Sequence, residues 1–198
     1  MPLLLSRTDA EALLHEWVAS ESLRRRCRAV EFAVRAYAVQ RGADEEQWGL
    51  AALLHDMDYE RHPEMDDEVA GHPRTTLRVL TEMDVDPVVV RAIASHADFL
   101  GVSRDSDLER TLFACDELCG FLLACAYVRP QGIHGLTPKS VKKKLRQPSF
   151  AAAVNRNDVY GGAEQLGVDF DEHVAFVIAA LDPHAAELGC DGSADGAP

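Results

Sequence analysis

Long apolar runs are missing from this chain. Hydrophobic residues make up 47% of it, but they come in short periodic groups, none near the roughly 20 residues a membrane-spanning helix needs. The opening stretch Met1-Pro2-Leu3-Leu4-Leu5-Ser6-Arg7 has neither the charged start nor the extended apolar core of a secretory signal. The expectation is a soluble, cytoplasmic protein without a membrane partner. Cysteine is scarce and odd in number: Cys27, Cys115, Cys119, Cys125 and Cys190 are the five, so a disulfide framework is not expected. Cys115 and Cys119 have no close-spaced Cys or His to complete a zinc site, and their spacing of four in an apolar pattern reads as core. Positive charge is short as well. A net charge of −13 opposes nonspecific binding to nucleic acid, which needs cations against phosphates. Lysine is confined to Lys139, Lys142, Lys143 and Lys144, and every other fixed cation is an arginine. That local basic segment is either a solvated helix face or a place for an anion.

Repeats and convincing strand alternation are absent too, and helical periodicity fills the space. A first helix is expected from about Asp9 to Ser20. A second carries Leu23, Cys27, Val30, Val34 and Tyr37 on one buried stripe and ends at Gly42. Asp44 with Gln47 three positions on resembles a capping box for a helix bearing Trp48, Leu50, Leu53 and Leu54. It ends near His55-Asp56-Met57-Asp58, and a polar loop from Tyr59 to Asp67 follows. Asp86-Pro87 reads as cap and first position of the next helix, which carries Val89, Val90, Ile93 and His96. A long helix from about Asp105 carries Leu108, Leu112, Asp116 and Leu123. The last helix is capped by Asp169 and buries Phe170, Val174, Val177, Ile178 and Leu181. The expected architecture is one all-α multi-helix bundle over 1–188, with a disordered tail over 189–198 that is rich in Gly, Ala and Asp.

Four polar residues fall where these patterns predict burial or a helix end facing the core: His55, Asp56, His96 and Asp116. Asp116 has Leu112, Gly120 and Leu123 as helical neighbours. A buried acid needs a partner or a metal. Taken singly, each residue is more simply read as part of an ordinary core polar pair. Together, imidazoles and carboxylates delivered by several helices suit a metal such as Fe, Mn, Co or Zn.

Leu53-Leu54-His55-Asp56-Met57-Asp58-Tyr59 resembles the signature of the HD-domain metal-dependent phosphohydrolases. The order His55-Asp56, His72, His96, Asp116 matches that family from its second element on. The likeness is greatest to a group of bacterial HD-domain proteins of about this length whose activities are uncharacterised. It runs from Leu23 to about Leu181 and includes Ala114-Cys115-Asp116-Glu117-Leu118, the segment Lys139 to Lys144, and Ser149 to Arg156. The resemblance implies an HD-type bundle with a metal site between helices. It implies one or two divalent ions per chain (Fe, Mn, Co, Zn or Mg) held by His55, Asp56, His72, His96 and Asp116, with Asp56 also catalytic. Where the family has its first histidine this chain has Arg26-Cys27-Arg28, so Cys27 is either a thiolate ligand or an inert buried residue. The activity implied is hydrolysis of a small phosphate ester or nucleotide, with Lys142 and Lys143 as substrate-binding cations. The alternatives are a di-iron oxygenase of the same fold and a degenerate domain that only binds. The ligand is expected to be small and anionic, and a homo-oligomer is left open. His62, His134, His173 and His184 read as loop or surface histidines, and His15 as one helix too early to serve.

Overall fold

A computed structural model describes residues 5–192. Nine α-helices and two 3-10 turns, with no strand, make up the regular structure of those residues. They are α1 (Arg7–Trp17), α2 (Glu21–Arg41), α3 (Glu45–Leu54), α4 (Arg74–Glu82), α5 (Pro87–His96), α6 (Asp107–Tyr127), α7 (Pro138–Leu145), α8 (Arg156–Leu166) and α9 (Phe170–Leu181). None of them is long and apolar enough to cross a membrane. The chain forms two compact units, Met1–Leu112 and Phe113–Pro198.

The helix ends obey local chemistry. Ser6, Ser20, Asp44, Asp86, Asn155 and Asp169 each accept a backbone N–H of the first turn that follows. Gly42 closes α2 in the left-handed region, at φ 65. One expected device differs. Gln47 does not return to the Asp44 backbone to close a capping box; its Nε2 donates to Asp86 Oδ2 at 2.8 Å, tying the start of α3 to the cap of α5.

In the first unit α3 is the hub, packing on α1, α2 and α5, while α4 packs on α5. Its residues Trp48 to Leu54 are all buried, so the segment that leads into His55-Asp56 lies inside the core. α2 turns Cys27, Val30, Val34 and Tyr37 of the expected stripe inward, while Leu23 is only half-buried, and each buried apolar side chain of this size contributes about 2 kcal/mol. Gly49 on α3 lets α2 come close: a Cβ there would meet Arg35 Nε at 2.4 Å.

In the second unit α9 packs on α7 and α8. The expected disordered tail begins differently. Cys190 is buried, and its carbonyl accepts the Ile133 N–H at 2.7 Å; residues 193–198 lie outside the described residues. His173 is also not the surface histidine expected. It shares the inner face of α9 with Val174 and Val177, and its Nε2 donates to the Ala114 carbonyl at 3.0 Å. Burial disfavours the imidazolium and lowers its pKa, outweighing that contact. A lowered folded-state pKa means that the unfolded chain binds the proton more tightly. Stability is therefore complete above the ordinary histidine pKa of about 6.5 and falls as the pH drops below it. In thermal melts, His173→Gln should flatten the loss of Tm between about pH 7 and pH 5; an unchanged slope would assign that loss to other groups.

Candidate metal centre

The first unit draws four of the expected residues together. α3 ends at Leu54, and the chain turns through His55, Asp56 and Asp58; His72 precedes α4; His96 is the last residue of α5. All five side chains are buried.

Hydrogen bonding fixes which nitrogen of each ring faces the centre. His55 Nδ1 lies 2.7 Å from the Ala52 carbonyl, and His96 Nδ1 contacts the Ile93 carbonyl. Both are carbonyls of a last helical turn, left without an intrahelical partner. A carbonyl only accepts, so each Nδ1 carries hydrogen and, in the neutral ring, each Nε2 carries a lone pair. His72 Nδ1 lies 2.7 Å from Asp58 Oδ1, with the same result. Asp58 is clamped in turn: its Oδ2 accepts the Thr76 N–H at 2.8 Å, and its own N–H donates to Thr76 Oγ1 at 3.2 Å. A carboxylate at the first turn of α4 is also where the helix favours negative charge.

The Nε2 atoms of His72 and His96 stand 3.3 Å apart. Asp56 Oδ1 lies 3.4 Å from the first and 3.8 Å from the second, and Asp56 Oδ2 lies 3.4 Å from His55 Nε2. These atoms are all acceptors, so their mutual approach without a cation is repulsive. Two ligands on one ion at roughly 2.0–2.1 Å stand roughly 3.0–3.4 Å apart, which is close to the spacing seen. The donor set, two imidazoles and a carboxylate, therefore fits a divalent metal, and Asp56, His72 and His96 offer ligand atoms within 4.8 Å of one another. Burial alone would raise the pKa of Asp56. His55 beside it and the charge of Arg26 outweigh that and hold it well below the usual carboxylate value; Arg26 Nε is 3.7 Å from Asp56 Oδ2.

The other expected site residues belong to other elements. Cys27 is buried on α2 and is not among the atoms that converge. Asp116 is buried on α6, in the second unit. Lys142 pairs with Asp171 at 2.7 Å, and Lys143 is exposed on α7. His62 stays in its loop, where its carbonyl accepts the His72 N–H. His15 sits beside Glu11 on α1. His134 is exposed beside Asp182, and His184 is half-buried beside Glu187.

Three residues of the centre were missed in the sequence: Asp58, Thr76 and Arg26. Asp58 stood in plain view beside His55-Asp56, but nothing local marked His72 as its partner. Replacing it by Asn should let His72 flip or loosen, lowering metal affinity by about 10–100-fold. Mn(II) titration with circular dichroism as the folding control checks this, and an unchanged affinity would reduce Asp58 to a helix cap.

Residues 24–120 match the family model of the HD domain. That stretch contains α3, α4, α5 and every residue of the centre described above. No curated protein and no solved structure matches the chain. The resemblance carried by the segments beyond residue 120 lies outside the family match.

Proposed function

Taking residues 24–120 as an HD domain, we propose that this protein is a metal-dependent phosphohydrolase acting on a small phosphate ester or nucleotide. The observation that carries the reading is the approach of His72 Nε2, His96 Nε2 and Asp56 Oδ1 to within 3.3–3.8 Å, each with its lone pair available. An ion held there lowers the pKa of the water it binds and neutralises an anionic ester.

The chain's own residues do the rest. Asp58 and the carbonyls of Ala52 and Ile93 fix the three rings, so the ligand nitrogens need not reorganise. Asp56, kept ionised, is the residue placed to hold the ion and orient an attacking water. Tyr59 stands edge-on to His72, ring centres 5.2 Å apart, and is exposed enough to meet a substrate. Asp116 enters as a further ligand on its place in the family order alone, and its own variant, Asp116→Asn, tests it by metal content. Lys142 and Lys143 enter as substrate-binding cations. Since Lys142 already neutralises Asp171, Lys143 is the freer of the two.

The test is elemental analysis of the purified protein, followed by a screen of phosphate monoesters and nucleotides for phosphate release with and without chelator. Chelator-sensitive release supports the reading. Bound iron with substrate-dependent oxygen uptake and no phosphate release would make the protein an oxygenase. A folded chain that takes up no metal would leave a binding role.

A further inference from the structure

Positive charge is gathered in one stretch of the second unit. From Leu118 to Asn157 the chain has seven cations and no acid. Several are engaged within the fold: Lys142 on Asp171, Lys144 over the Phe150 ring, and Arg156 on the carbonyls of Ala151 and Val154. Lys139, Lys143 and Arg146 differ. They are exposed, and among the described residues none of the three has an acid, a carbonyl or a ring as partner. α7 buries Val141 and Leu145 and has Arg146 as its C-cap. Steps of four and three put the three cations on one face of it, in a row about 10 Å long. One phosphate cannot touch both ends of such a row, so the stripe suits an extended acidic surface.

The first unit carries a surface of that kind. The loop between Asp58 and His72 is fastened at several points. Glu60 accepts the Ser20 N–H at 2.8 Å, Arg61 donates to the Glu16 carbonyl and lies over the Trp17 ring, and Arg74 donates to the Met65 carbonyl at 3.1 Å. The loop leaves Glu64, Asp66 and Glu68 exposed, with no partner among the described residues. Beside them Met65 is 44% and Val69 83% exposed. A loop already fixed loses little entropy on docking, and lysine stems cover apolar surface while their heads reach carboxylates. A nucleic acid fits the stripe less well. α7 carries no aromatic side chain for a base to stack on, and the net charge of −13 repels phosphates. Two copies of the chain also repel each other at long range. At about 0.1 M salt that repulsion is screened beyond roughly 10 Å, while charges in contact still attract.

We propose that the exposed face of α7 is a self-association surface: Lys139, Lys143 and Arg146 dock on Glu64, Asp66 and Glu68 of a second copy of this chain, and the lysine stems cover Met65 and Val69. The contact is heterologous, one patch against a different one. It does not depend on the metal reading.

The experiment is sedimentation velocity of the whole chain over a concentration series, at about 0.1 M and about 1 M salt. The parent is expected to associate at the lower salt and less so at the higher. One variant combines Lys139→Glu with Arg146→Glu, and another combines Glu64→Lys with Glu68→Lys. Every changed side chain is exposed, and circular dichroism is the folding control. Each variant alone is expected to associate at least about tenfold more weakly, because two attractive pairs become repulsive. Mixing the two variants is expected to restore association, since each then meets its opposite charge. A parent that stays monomeric at both salts would overturn the proposal, a result that needs no variant to fold. A monomeric parent that binds a single-stranded oligonucleotide through Lys139 and Arg146 would give the stripe to nucleic acid instead. Association unchanged in the folded variants, or a mixture no tighter than either variant alone, would also overturn it.

Discussion

Asp56→Asn is expected to cost the protein its metal and its activity together. The side chain supplies Oδ1 to the pair of imidazole nitrogens and is the ionised group among them. An amide of the same shape keeps the packing but removes the charge that offsets a divalent cation. Removing a partner that only orients a ligand weakens metal binding by about 10–100-fold, so losing a charged ligand should exceed about 100-fold. Metal content after dialysis and phosphate release measure the two losses, while helical circular dichroism should stay near that of the parent. A variant that retains its metal would remove Asp56 from the centre and with it the hydrolase reading.

Glu31→Ala is expected to be the most damaging change to stability. Glu31 is fully buried on α2. Its Oε1 accepts Arg7 Nε and Arg35 Nε, both at 2.8 Å, and its Oε2 accepts a second Arg7 nitrogen at 3.0 Å. Arg35 continues to Glu46 at the start of α3, at 2.8 and 3.1 Å, so one carboxylate joins α1, α2 and α3. Without it, Arg35 keeps its charge in a largely buried place with one partner fewer. Breaking a buried pair costs about 3–5 kcal/mol, and for a chain of this size that lowers Tm by roughly 6–20 °C. Glu82→Ala, which removes an exposed pair with Arg78, should barely move it. Similar melts for the two variants would mean that the Glu31 network holds little of the fold.

Much of the fold was legible because helix formation is local. The stripe Cys27, Val30, Val34 and Tyr37 has the helical period, and Gly42, Asp44, Asp86-Pro87 and Asp169 mark ends by chemistry each residue carries itself. Three helices, α4, α7 and α8, escaped notice, two of them for equally local reasons. α4 turns two threonines inward, Thr75 and Thr76, beside Leu80, and so shows only a short apolar face. α8 contains Gly161-Gly162, which reads as a breaker; the second glycine is there because a Cβ would meet Ala114 Cα at 2.7 Å.

The centre divides in the same way. His55, Asp56, His72 and His96 were legible as polar groups at expected burial or as members of a family order. The sequence by itself determined that these residues exist, that helices carry most of them, and that Arg26-Cys27-Arg28 replaces a histidine. Only the tertiary structure decided which of their atoms meet. Asp58 finds His72 fourteen positions on and Thr76 eighteen positions on, and Arg26 on α2 finds Asp56 beyond the end of α3. The physical reason is that periodicity fixes which face of a helix is buried, whereas the ring nitrogen that keeps its lone pair is set by an acceptor on another turn or another helix, which appears only when the helices pack.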